Sequence, residues 1–144
     1  MVDLKKPVDV TIDYITGKEV PNVGSEANRQ SVERFLVEHK GYAKEDIEVA
    51  ATLEFKIEEQ VYRSSVDLVV SVNGRRLMAV KCAAGSLGSR EREIVAAARL
   101  LDEYQIPFSV ASDGKTAIVL DTKSGKKIGE GLNAIFSKER MKKF

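Results

Sequence analysis

Val66-Asp67-Leu68-Val69-Val70-Ser71-Val72-Asn73-Gly74-Arg75-Arg76-Leu77-Met78-Ala79-Val80-Lys81-Cys82 is the stretch that decides the fold. Two almost wholly apolar runs flank Asn73-Gly74, the dipeptide that most strongly signals a β-hairpin. Strands this apolar belong at the centre of a sheet covered on both faces, so Asp67 in one and Lys81 in the other stand out. Whether they meet depends on the turn. A three-residue loop Val72-Asn73-Gly74, with Gly74 left-handed and a bulge, sets Ser71 against Arg75 and Asp67 against Ala79. Asp67, Ala79 and Lys81 then share one face, while Met78, Val80 and Cys82 take the other. A two-residue turn on Asn73-Gly74 would instead put Asp67 opposite Val80 and break the cluster. The bulged loop is the expectation. A carboxylate beside an ammonium in an apolar sheet costs desolvation energy that only good geometry repays, which marks either a site or a buried ion pair.

Working outward, Ile47, Val49, Ala51, Leu53 and Phe55 alternate with polar residues, the pattern of a half-buried strand. Val8 to Pro21 reads as a short hairpin turning at Thr16-Gly17-Lys18. Ser25 is placed to cap a helix that runs to about Lys40 and stops at Gly41, with Val32, Phe35 and Leu36 on one face. An alanine-rich helix is expected over Arg90 to Tyr104. Pro107 to Ala111 and Thr116 to Leu120 form a second hairpin across Ser112-Asp113-Gly114, and a last helix is expected over Leu132 to Met141. The order helix, three strands, helix, two strands, helix describes one α/β sandwich over residues 1–144.

The chain has 144 residues, 43% hydrophobic and 31% charged, enough for one core and too balanced in charge for a disordered chain. No apolar run approaches the length of a membrane span, and the start MVDLKKPVDV lacks a signal peptide's apolar core, so the expectation is a cytoplasmic protein without a membrane partner. One cysteine and one histidine exclude an internal disulfide and a Cys/His zinc cluster. Charge is uneven: residues 123–144 carry seven basic side chains against Glu130 and Glu139. This basic tail reads either as a phosphate-contacting element or as a solvated C-terminal helix.

An ordered set of short matches spans about residues 12 to 125: Ile15-Thr16-Gly17-Lys18, Val20-Pro21, Glu26 with Arg29-Gln30, Gly41-Tyr42, Arg63 to Val70, Val80-Lys81, and Ser112-Asp113-Gly114 in place of a threonine-asparagine-glycine turn. In this order and spacing the chain resembles the N-terminal domain of type I restriction enzyme motor (R) subunits and its small stand-alone relatives, within the PD-(D/E)XK nuclease superfamily. The resemblance implies a restriction-endonuclease-like three-layer sandwich, a mixed central sheet flanked by helices, carrying a Mg²⁺ or Mn²⁺ phosphodiesterase site that acts on DNA. It also implies a dimer that treats two strands, and a restriction-modification or helicase partner. Carried over, Asp67 is the central metal ligand, Glu26 the helix acid of the metal shell and Lys81 the lysine that positions the attacking water.

The departure from the pattern is Ala79, which stands where the family places its second acid. Glu93, twelve residues beyond Lys81, is the candidate for an acid displaced onto the following helix, with Glu91 behind it. Glu26, Arg29, Gln30 and Glu33 form one helical stripe, read either as facing metal and DNA backbone or as an ordinary wet face. Arg63, Arg75, Arg76, Arg90 and Arg92 are candidate phosphate contacts around the site. His39, Cys82 and Tyr104 read as structural side chains. Two functions remain open: a nucleic-acid-binding domain that is a Mg²⁺-dependent endonuclease with Glu26, Asp67, Lys81 and Glu93 as its site, or an inactive DNA-binding or assembly module that keeps the nuclease fold.

Overall fold

A computed structural model of the chain describes residues 9–22, 26–83, 85 and 87–144. The expected cap at Ser25 and the first residue of the N-terminal hairpin, Val8, lie outside these. A six-stranded sheet runs in the order β3 (Ile47–Ile57), β4 (Gln60–Val72), β5 (Arg75–Cys82), β6 (Phe108–Ser112), β7 (Ala117–Asp121) and β8 (Lys127–Glu130). All neighbours are antiparallel except β5 and β6, whose parallel pairing requires a crossover. Helix α2 (Gly88–Leu100) makes that crossover. A separate ribbon of β1 (Val10–Ile12) and β2 (Glu19–Pro21) precedes α1 (Glu26–Lys40).

Each face of the sheet buries its own apolar set. On one side Leu68, Val70, Met78, Val80, Cys82, Val110 and Val119 pack with Val32 and Leu36 of α1 and with Ile135 and Met141 near the C-terminus. On the other, Val69, Ala79 and Leu120 pack with Ile94, Val95 and Ala98 of α2. The result is a mixed α/β sandwich of the restriction-endonuclease-like type, three layers deep. The small side chains Ala79 and Ala98, both fully buried, belong to this second cluster.

The turn differs from the expectation, and so does its consequence. Val72 pairs with Arg75, leaving a two-residue turn in which Asn73 and Gly74 take φ of 54° and 77°, as a type I′ turn requires. By itself this turn would split Asp67 from Lys81. A bulge one step later reverses the parity: Ser71 pairs with Arg76 but Val70 with Met78, so Leu77 is the extra residue. Val69 therefore faces Ala79, Leu68 faces Val80, and Asp67 arrives level with Lys81 rather than with Ala79.

Two helices also end differently. Helix α2 stops at Leu100 instead of Tyr104, because the Tyr104 hydroxyl donates to the Arg76 carbonyl at 3.0 Å and Arg76 reaches the Leu101 carbonyl at 3.4 Å, drawing the chain off the helical path. The segment expected to form a helix over Leu132 to Met141 is a 3-10 turn (Leu132–Ala134), an extended stretch and the short α3 (Lys138–Met141), after a strand β8 that the sequence reading missed. Burial of Ile135 and the 2.7 Å hydrogen bond from the Tyr42 hydroxyl to the Phe136 carbonyl hold that stretch extended.

The turn Ser112-Asp113-Gly114 abuts α1. Gly114 has φ of 86°, and a Cβ there would stand 3.0 Å from Ser31 Cβ and 3.3 Å from the Asn28 carbonyl oxygen. Glycine is required on both counts. Gly114→Ala is expected to destabilise the fold by roughly 2 kcal/mol in urea unfolding, the sum of a left-handed side chain and a crowded helix face.

Candidate functional site

Asp67 sits where the β3–β4 ladder skips a step. The register runs Val49 to Leu68 and Ala51 to Val66, leaving Ala50, with φ of 56°, and Asp67 out of regular pairing. The interruption turns the strand over: Val66 packs with the α2 side, Leu68 with the α1 side. A regular strand would have kept both on one face. Asp67 Oδ2 accepts a hydrogen bond of 2.8 Å from the Cys82 backbone N–H and lies 3.9 Å from Lys81 Nζ.

Lys81 projects toward α2, where Glu93 Oε1 lies 3.3 Å from its Nζ and Glu93 Oε2 lies 3.3 Å from Arg90. Burial raises the Glu93 carboxyl, but the Lys81 ammonium and then Arg90 outweigh it and hold it below its ordinary value. One ammonium thus stands between two carboxylates carried by different elements. About a quarter of Asp67 and of Lys81 and nearly half of Glu93 stay exposed, so water or a ligand reaches the group. An apolar groove of about 230 Å³ opens beside it, lined by Leu53, Phe55, Val66, Ile94 and Leu100 as well as by Lys81 and Glu93.

Glu26 is engaged elsewhere. Its carboxylate is ion-paired with Arg29 and accepts from Gln30 Nε2 at 3.0 Å. Arg29 also approaches Asp13 at 3.5 Å and Glu33 at 3.4 Å, and Gln30 accepts from the Tyr14 backbone N–H at 2.7 Å. The stripe Glu26, Arg29, Gln30, Glu33 is therefore covered by the segment Asp13 to Ile15: Ile15 N–H donates to both Asp13 and Glu33, and both acids are fully buried. The sequence reading named Glu33 only as part of a wet or DNA-facing stripe and missed Asp13. Burial, with the hydrogen bond that the protonated carboxyl donates to Asp13 behind it, pushes Glu33 up to about 8. Burial would also raise Asp13, but its hydrogen bonds from Glu33 and Ile15 and the Arg29 charge hold it below the usual carboxylate range. One proton shared by the pair sits on Glu33.

The remaining candidates are scattered. Arg63 is exposed and paired with Glu54 at 3.2 Å; Arg76 makes two hydrogen bonds to Glu48, at 2.8 and 2.7 Å, and approaches Asp102. Arg75 stacks on Tyr104. His39 packs on Phe35. Cys82 is buried on the α1 side, its thiol pushed up by burial and by the Asp67 and Glu33 charges, as suits a structural residue.

Among the described residues no three acid, His or Cys side chains are grouped to hold a metal. Ala79 offers no oxygen and is fully buried. What the chain does offer is a pair of hard, accessible oxygen donors, Asp67 and Glu93, about one lysine. Mg²⁺ is ordinarily bound by one or two carboxylates, with water and phosphate filling its octahedron, so this pair fits the ion while a three-acid cage is absent.

A mixed sheet crossed over by α2, with acid and lysine on adjacent central strands, is the architecture of a restriction-endonuclease-like domain. The family of type I restriction enzyme R protein N termini matches residues 24–135, and the chain belongs to it. No curated protein and no solved structure matches the chain.

The Asp13–Glu33 pair sets a pH signature. Glu33 binds its proton more tightly folded than unfolded, so its contribution is full below about 4.5 and lost as pH rises to about 8, while the Asp13 contribution is lost as pH falls below its unfolded value of 3.8. Glu33→Gln, which copies the protonated acid, is expected to match wild type near pH 5 and to melt on the order of 5 °C higher near pH 9. Thermal melts across that range read the difference.

Proposed function

We propose that this domain is a Mg²⁺-dependent phosphodiesterase of the PD-(D/E)XK type acting on DNA, in which Glu93 of α2 stands in for the acid that Ala79 lacks. The observation that carries the reading is the position of Lys81 between Asp67 and Glu93. Asp67 and Glu93 would hold the cation. The chemistry a bound Mg²⁺ supplies is polarisation of the phosphate and a lowered pKa of its water. Asp67 is aimed by the hydrogen bond it accepts from the Cys82 N–H. Lys81 orients the attacking water and offsets charge gathering on the phosphate oxygens, which is worth most where the sheet and α2 exclude bulk solvent. Arg90, beside Glu93, is placed to meet a flanking phosphate. Glu26 acts at one remove: it fixes Arg29 and with it the segment that closes over α1.

Ala79 favours a second reading, an inactive DNA-binding or assembly module. It is packed by Ile94, Val95 and Ala98, and no water-exposed oxygen replaces the acid at that point of the strand. Plasmid nicking during Mg²⁺ and Mn²⁺ titration separates the two. The enzyme nicks in proportion to bound cation, Asp67→Asn and Glu93→Gln each lose about a hundredfold or more, and Glu26→Gln loses less than about tenfold. Metal-independent DNA binding with no nicking in any variant establishes the module instead.

A further inference from the structure

Strand β3 forms one edge of the sheet, and its outer half pairs with the part of β4 that has no β5 partner, a two-stranded arm. Edge strands are usually blunted by proline, by a bulge, by brevity or by a covering loop. The opposite edge, β8, is four residues long and has the 3-10 turn at Leu132–Ala134 packed against it. From Ala51 to Ile57, β3 has no proline and its ladder to β4 is unbroken; the irregularity at Ala50 lies just before. The arm also leaves apolar surface in water: Ile57 is 57% exposed, Tyr62 42%, and Leu100 across the groove 54%.

The sequence of that edge is complementary to itself. Leu53-Glu54-Phe55-Lys56-Ile57 reads apolar, acid, aromatic, base, apolar. Antiparallel pairing of two copies about Phe55 sets Glu54 against the partner's Lys56, Lys56 against the partner's Glu54, and Leu53 against the partner's Ile57. Every opposed pair is favourable, and the contact closes on itself about a two-fold axis. Leu53, Phe55 and Ile57 share the face that bears α2, so the partner's Ile57 arrives over the apolar groove that Leu53 and Phe55 line. A longer register through Thr52 would carry the ladder across the irregular Ala50. The acids of the arm, Glu54, Glu58 and Glu59, outnumber Lys56 and Arg63 and disfavour a nucleic-acid occupant there.

We propose that a second copy of this chain occupies the β3 edge, the two sheets joining antiparallel about Phe55 into one continuous sheet. The axis stands perpendicular to the sheet, so both Lys81 groups lie on the same side of it. An overlap of five residues per strand makes a dimer that dissociates on dilution.

Sedimentation velocity of the full chain over a concentration series is expected to show monomer and dimer in exchange. Glu54→Lys or Lys56→Glu alone opposes like charges at two symmetry-related points and should weaken the dimer roughly tenfold. The exchanged variant, Glu54→Lys with Lys56→Glu, should recover wild-type affinity. Phe55→Cys, which faces its own copy across the axis, should form an interchain disulfide on mild oxidation, while wild type, with Cys82 buried, should not. Melting curves confirm that each variant is folded. A folded wild type that stays monomeric at every soluble concentration overturns the proposal. So does a dimer indifferent to the single charge changes or not rescued by the exchange.

Discussion

A strand pair whose side chains alternate with period two admits two arrangements of Asp67 and Lys81: same side of the pleat, or opposite sides. Everything chemical in this molecule depends on the first. It is reached through two departures from regular pairing that cancel, the tight Asn73-Gly74 turn and the extra residue at Leu77. The interruption at Ala50 and Asp67 then frees the carboxylate from the ladder, and the Cys82 N–H takes it as a hydrogen-bond acceptor. The acid is thus held by backbone on one oxygen while it stays within reach of the ammonium.

Beneath α1 the same constraint operates with charges in place of a ladder. Asp13, Glu26 and Glu33 crowd one guanidinium, and two of the three acids are fully buried. Three full negative charges on Arg29 would be unstable in that environment, so Glu33 keeps its proton and the cluster carries one net negative charge instead of two. The cluster ties the N-terminal ribbon to the helix, and Asp67 and Glu93, partly exposed beside Lys81, take no part in it. A glutamate at the start of α1 is thereby a structural brace first.

Much of this was legible in the residues, for identifiable reasons. The alternation over Ile47 to Phe55 and the two apolar runs about Asn73-Gly74 have one physical solution, a central hairpin beside an edge strand, and the family resemblance fixed the rest of the sandwich. The common face of Asp67, Ala79 and Lys81 was deduced from the wrong turn, because composition cannot place a bulge: Leu77 looks like any other strand residue. Glu93 was singled out through the family resemblance, as an acid displaced onto the following helix, and its 3.3 Å approach to the Lys81 ammonium is a contact the residues alone do not disclose. The Asp13–Glu33 pair was hidden, since Asp13 lies in a hairpin with no periodicity to mark it as buried and Glu33 shares its stripe with three polar residues. Strand β8 and the extended stretch before α3 were hidden for the opposite reason. Their conformation is set by Ile135 and Tyr42, contacts between distant parts of the chain.

The alanine at position 79 has an effect beyond the oxygen it lacks. Its methyl is fully buried in the cluster that Ile94, Val95 and Ala98 of α2 share. A carboxylate there would meet a dry wall of hydrocarbon instead of solvent, at a cost of several kcal/mol. Position 79 is in this sense locked to the helix opposite: a larger or charged side chain there would have to push α2, and Glu93 with it, off the sheet before it found solvent.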